Sequence, residues 1–354
     1  MSRGSAPTSV AFSGVRLLLL LLLSACGSET ADFDAPRLGD PLVVLDPQSV
    51  SIDPVAMGSS ATVLAPYERL QGLTGVLSSA GSDTLANLMT LWSEAFQRLY
   101  PSITIQVQAA GSSSAPPALT EGTVNFGAMS RAFNDSELDA FEQRFGYVPT
   151  ALRVAIDAVA VYVHKDNPID ALALTELDAI FSATRLCGAR RAIDTWGDMD
   201  LAGGWFDRPI QLYGRNSVSG TYGYFKSVAL CGGDYRNTVN EQPGSSSVVQ
   251  AVAASLNSIG YAGMGHGTSG VRALPLRDAT QLVVPTASSA ADGSYPLSRF
   301  FYVYVHKRPD VALPAVEREF LRFVLSAQGQ EIVARDGYVP VSASIAATEL
   351  KRLD

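Results

Sequence analysis

Gly75-Val76-Leu77-Ser78-Ser79-Ala80-Gly81-Ser82-Asp83-Thr84 is a short apolar stretch that runs into a Gly-Ser-Asp-Thr turn. Behind it, Leu85, Leu88, Met89, Trp92, Ala95, Phe96 and Leu99 recur at helical spacing. This reads as strand, loop, helix, with Ser82, Asp83 or Thr84 placed to cap the helix. Tyr100-Pro101 closes the helix, and Ile103 to Val107 alternates as a strand should. The pattern recurs in altered form. Ala110-Gly111-Ser112-Ser113-Ser114 follows the second strand. Val124 to Met129 runs into Ser130-Arg131, and a helix is expected from about Ser136 to Phe145. A long β-branched run, Val154 to Val163, comes next. Ile210 to Tyr213 then enters Gly214-Arg215-Asn216-Ser217-Val218-Ser219-Gly220-Thr221, with a helix continuing to Leu230. Strands alternating with helices predict α/β layers with mixed, mostly parallel sheets flanked by helices.

Val161-Tyr162-Val163-His164-Lys165 is repeated as Val303-Tyr304-Val305-His306-Lys307. Similar strands suit adjacent places in one sheet, so both are read as crossover strands near a hinge. The expected division is 75–155 with 305–354 as one lobe and 156–304 as the other.

At 354 residues, 47% hydrophobic and 17% charged, the chain is too apolar to be disordered and long enough for two domains or one large one. Its 26 basic and 34 acidic side chains give a net charge of −8, which argues against a general nucleic-acid binder. Three Cys and three His leave little for a metal site, and no metal or cofactor is expected.

Arg3 and Arg16 precede the run Leu17 to Leu23 and then Ser24-Ala25-Cys26, a secretory signal over 1–25 whose apolar run is too short to span a bilayer. Leu23-Ser24-Ala25-Cys26 resembles the lipobox of bacterial lipoproteins, which implies lipidation at Cys26, the alternative being a plain cleaved signal. Removing 1–25 takes away two Arg and no acid, leaving 24 basic and 34 acidic side chains, a net −10. In an exported chain Cys187 and Cys231 can form a bridge or remain two buried thiols. Residues 26–74, with Pro36, Pro41, Pro47, Pro54 and Pro66, read as a tether that holds an anchored domain clear of the membrane.

Four loops share one composition: Gly81-Ser82-Asp83-Thr84, Gly111-Ser112-Ser113-Ser114, Ser130-Arg131, and Arg215 through Ser219-Gly220-Thr221. Three lie between a strand and an expected helix, where free backbone N–H groups and hydroxyls favour anions and Gly permits close approach. Arg131 and Arg215 add planar forks suited to tetrahedral oxyanions. The set describes a site for a small multivalent oxyanion at the carboxyl ends of strands.

From about Gly75 to Val341 the chain resembles the substrate-binding proteins of bacterial phosphate ABC transporters, of the two-lobed periplasmic binding protein class (type II). Ala80 to Thr84, Gly111-Ser112-Ser113, Val124 to Ala128, Gly214-Arg215 with Ser219-Gly220-Thr221, Ile259-Gly260-Tyr261 and Tyr295-Pro296-Leu297-Ser298-Arg299 carry the likeness. It implies a ligand cleft between two lobes, with phosphate held by Asp83, Thr84, Ser112, Ser130, Arg215, Ser219, Gly220 and Thr221. Ser82, Ser113 and Arg131, their neighbours in the same loops, complete the candidate set. It also implies an ABC transporter permease as partner and an exported, lipid-anchored monomer in the periplasm or at the cell surface. Two positions depart from the family. Ser130 and Ser217 stand where members commonly carry Asp, the first accepting the phosphate proton and the second pairing with the Arg. Asp83, the only acid in the four loops, is expected to supply the missing acceptor. Sulfate or molybdate binding, and a surface sensor or adhesin, are the alternatives. A phosphatase is disfavoured: no Gly-x-Ser-x-Gly or Ser-x-x-Lys occurs, and of His164, His266 and His306, any of which could serve as a base in principle, the two that end apolar strands, His164 and His306, read as packing or surface residues.

Overall fold

The structure is a computed structural model and describes residues 63–278 and 281–353. The signal segment, Cys26 and most of the tether lie outside the described residues.

The first block opens with β1 (Gly75–Gly81), α1 (Ala86–Leu99), β2 (Ile103–Gln108), α2 (Ala115–Glu121), β3 (Phe126–Met129) and α3 (Asp135–Phe145). Leu88, Met89, Trp92 and Phe96 form the buried face of α1, as their spacing requires, and Trp92 Nε1 donates to the Gly329 carbonyl at 2.8 Å. The cap of α1 differs from expectation. Leu85 is the N-cap and makes no side-chain capping bond, so the hydroxyls of Ser82 and Thr84 are not consumed by their own helix.

The long strand β4 (Thr150–His164) then carries the chain across the molecule. Beyond it come β5 (Leu172–Ala173), α4 (Leu174–Phe181), β6 (Gln211–Arg215), α5 (Gly220–Ala229), β7 (Asn240–Gln242), α6 (Ser245–Ala253) and β8 (Ser258–Gly263). Next are β9 (Val271–Ala273), β10 (Leu276–Asp278), β11 (Gln281–Val283) and α7 (Ala287–Ala291). The return strand β12 (Ser298–Val305) leads to α8 (Ala315–Val324), α9 (Ala327–Arg335) and α10 (Ala343–Lys351). A disulfide joins Cys187 to Cys231.

The main sheet runs β2-β1-β3-β12-β4-β8-β6-β7, with β9 also on β4. It is mixed. β1 pairs in parallel with β2 and β3, and β6 with β7 and β8, while β4 and β12 run antiparallel to their neighbours. β4 and β12 are adjacent, but the two Val-Tyr-Val-His-Lys copies lie at opposite ends: Val303 faces Leu152, and Val161 faces Tyr261. Residues 150–158 of β4 pair with β12, and residues 159–163 pair with β8. On β4 the pairing therefore turns over at Ala158–Val159, while β12 pairs with it from Ser298 onward. An unbroken β-branched run does not record where its partner strand changes.

The expected tether also ends earlier than residue 74. Leu64, Tyr67 and Leu73 pack against the core, Tyr67 Oη lies 2.7 Å from Tyr100 Oη, and the Ala327 N–H donates to the Ala65 carbonyl at 2.9 Å.

Candidate functional site

The turns after β1, β2, β3 and β6 meet where the two parallel blocks join. After β2, Gly111 takes φ +101°, and a Cβ there would lie 2.7 Å from the Val218 carbonyl oxygen, so only Gly allows these two turns to touch. The Ser113 N–H then donates to that carbonyl at 3.1 Å. Ser112 Oγ accepts from the Ser130 N–H at 3.2 Å and sits 3.1 Å from Ser130 Oγ. Gly220, at the start of α5, presses its backbone onto this pair: a Cβ would fall 2.3 Å from Ser112 Oγ and 2.4 Å from Ser130 Oγ. Ser219 caps α5 by accepting from the Thr221 N–H at 3.1 Å. Thr221 Oγ1 in turn lies 3.1 Å from Thr84 Oγ1 of the first turn. In each hydroxyl pair only one proton lies between the two oxygens, so each pair retains one O–H for a further acceptor.

Arg215, at the end of β6, is buried. Its Nη2 donates to Asp83 Oδ2 at 2.5 Å and to the Pro243 carbonyl at 2.9 Å, its Nη1 to Ser245 Oγ at 3.1 Å, and its Nε to the Gln242 carbonyl at 3.4 Å. Five donors against these four bonds leave one Nη1 N–H over. Asp83 thus serves as the counter-ion of Arg215, the place left without an acid at Ser217. Its second oxygen, Oδ1, is buried without a protein partner, as are Ser82 Oγ in the same turn and Asn216 Oδ1 beside Arg215. Buried polar atoms are nearly always paired, so three orphans within two facing turns mark a place where a polar ligand completes the bonding.

Two expected residues are not brought in. Arg131 forms a two-pronged pair with Glu137, both contacts at 2.7 Å, and its Nη2 donates to Ser113 Oγ at 3.4 Å. Glu137 is held in that position by the capping box it forms with Asn134 at the start of α3, so the carboxylate takes the fork that a ligand would need. Arg131 and the Ser113 side chain lie instead on a groove of about 690 Å³ with Tyr222, Tyr224 and Tyr302.

One pair of residues was missed. Arg299 on β12 donates through Nε and Nη2 to Asp157 Oδ2 at 3.0 and 2.8 Å, through Nη1 to the Ser130 carbonyl at 2.8 Å, and through Nη2 to Thr221 Oγ1 at 3.0 Å. Burial pushes the Asp157 carboxyl above its ordinary range, and the guanidinium pulls it back. A charge inside each of two apolar strands was the available signal. Behind the first turn, Tyr338 Oη donates to the Thr84 carbonyl at 3.1 Å and lies 3.1 Å from His266 Nε2, whose Nδ1 is 3.2 Å from Ser246 Oγ.

Both site arginines are therefore balanced by internal carboxylates, each with one Nη1 N–H left over, and an anion here meets hydroxyls, amides and those spare N–H groups rather than free cations. Among the described residues no cluster of three or more His, Cys, Asp or Glu could hold a metal, and no helix is long and apolar enough to cross a membrane.

Fold and turns together define an oxyanion-binding protein of the two-lobed class, and residues 61–328 match the PBP superfamily domain. The chain belongs to that superfamily and, within it, to the family of the phosphate-binding protein PstS. The protein of that name from Pseudomonas aeruginosa PAO1 is 56% identical over 300 residues, covering 84% of this chain and 93% of that one. A substrate-binding protein assigned to phosphate ABC transport in Clostridium perfringens, solved with bound phosphate, is 25% identical at a TM-score of 0.64, covering 76% of this chain and all of that one. A phosphate transport receptor from Vibrio cholerae, 22% identical with a TM-score of 0.59 over 74% of this chain and 99% of that one, shares the fold.

Proposed function

We propose that this protein captures inorganic phosphate in the cleft between two lobes and delivers it to an ABC transporter permease. In this reading residues 75–158 with 298–353 form one lobe and 159–297 the other. The observation that carries it is the meeting of Thr84, Ser112 and Ser130 with Arg215, Gly220 and Thr221, around buried polar atoms that lack protein partners. The 56% identity to a phosphate-binding protein supports the choice of anion. Because phosphate touches turns from both lobes, it favours the closed form, and closure is the signal a permease can read. Ser82, Asp83, Thr84, Ser112, Ser130, Arg215, Ser219, Gly220 and Thr221 are the binding set, and Arg131 with the Ser113 side chain forms the rim.

The chain acts as a binding protein without turnover. It is exported as a monomer and anchored through Cys26, with the chain that follows Cys26 as the tether. Isothermal titration with phosphate, sulfate and molybdate tests the reading. Saturable one-to-one phosphate binding, tighter than that of the other two ions, is expected. No heat with phosphate, a preference for sulfate or molybdate, or release of phenol from an aryl phosphate would overturn it.

A further inference from the structure

Arg299 and Asp157 face each other directly across β12 and β4, one step from the point where the pairing turns over. Their side chains are 2% and 0% exposed. Breaking so deeply buried an ion pair is costly, and an apolar pair would often serve stability as well, so stability alone is a weak reason for this one. What distinguishes it is where its remaining donors go. Besides Asp157, the guanidinium reaches the Ser130 carbonyl in one block and Thr221 Oγ1 in the other.

We infer that Arg299, held in place by Asp157, is a positioning residue for the anion site: it fixes the direction of the Thr221 hydroxyl proton and locks the Ser130 turn to the first turn of α5. This inference rests on the phosphate reading. A guanidinium only donates, so Thr221 Oγ1 must accept from it. The single Thr221 proton is then sent away from Arg299, to Thr84 or to a bound anion, and in either case the Thr84–Thr221 pair presents one outward O–H. Without Arg299 the hydroxyl is free to rotate, and that proton can be spent inside the protein. The Ser130 carbonyl would lose its charged donor in the same step, loosening the turn on which Gly220 closes.

The test is a coupling measurement by phosphate titration on wild type, Thr221→Val, the charge-neutral pair Asp157→Asn with Arg299→Gln, and all three changes together. The neutral pair avoids leaving a lone buried charge. It should bind phosphate roughly ten- to hundredfold more weakly, the size of one charge-assisted hydrogen bond. Adding Thr221→Val to it should cost at least several-fold less than in wild type, because the hydroxyl has already lost its direction. Thr221→Ser, which keeps the hydroxyl, should retain the full dependence on Arg299. Arg299→Lys is the second variant, for the case that the neutral pair does not fold. It keeps the charge beside Asp157 but lacks the planar fork, and is expected to fold and still bind at least several-fold more weakly. Additive losses, or wild-type affinity in Arg299→Lys or the neutral pair, would overturn the inference while the phosphate reading stands. A wild-type protein that ignores phosphate would overturn that reading first.

Discussion

Asp83→Asn separates charge balance from proton recognition in this site. Asp83 uses Oδ2 to hold Arg215 at 2.5 Å and keeps Oδ1 buried without a protein partner. An ion that still carries a proton can donate to Oδ1. Sulfate cannot, and its oxygen would then face another acceptor. Leaving a buried acceptor unpaired costs about 1–3 kcal/mol, so Oδ1 should favour phosphate over sulfate by roughly ten- to hundredfold. The amide of Asn is nearly isosteric and can present its NH₂ where Oδ1 stands, turning the penalty on sulfate into a bond. It also removes the charge that balances Arg215, whose side chain is fully buried against 18% exposure for Asp83, so every anion gains some Coulomb attraction. Titration of phosphate and sulfate into native and variant protein at one pH, with circular dichroism to confirm folding, should show the phosphate-to-sulfate ratio falling by that factor, mainly through stronger sulfate binding. A folded variant with an unchanged ratio would refute the assignment of Oδ1 as acceptor.

Gly220→Ala places a methyl group within 2.4 Å of two serine oxygens, so it should fold yet lose phosphate affinity by at least about tenfold, with solution scattering showing a more open particle. Arg131→Ala should leave phosphate affinity within about twofold, because Glu137 already holds the guanidinium; the loss of that pair should appear only as about 0.5–1 kcal/mol in urea unfolding. Burial holds the His266 imidazole below its ordinary 6.5, against the opposing pull of Asp157 and Asp336. The unfolded chain then takes up protons that the folded chain refuses, so this contribution is complete above about pH 6.5 and shrinks as the pH falls toward the lowered value. Melting temperatures from pH 7.5 to 5 should accordingly fall less steeply in His266→Gln than in the native protein, and parallel curves would count against this.

Much of the site was legible because its parts are local. A Gly, a hydroxyl and a strand end occur together in the turns at 81–84, 111–114 and 219–221, and helical spacing behind Thr84 and Gly220 fixed what followed each turn. What escaped depends on partners distant in sequence or on competition nearby. Arg131 read as a ligand fork, yet Glu137 six residues on, aimed back by Asn134, claims it. Arg299 and Asp157 are separated by 142 positions, and nothing local pairs them. The docking of Leu64, Tyr67 and Leu73 ahead of β1 is invisible in the sequence, since they dock singly and leave no periodic trace.

A crystal structure grown with phosphate tests the central claim most directly. One phosphate is expected there, enclosed by Thr84, Ser112, Ser130, Arg215, Gly220 and Thr221, with one of its oxygens within hydrogen-bond reach of Asp83 Oδ1. Phosphate bound elsewhere, or these turns parted with no ion between them at saturating phosphate, would contradict it.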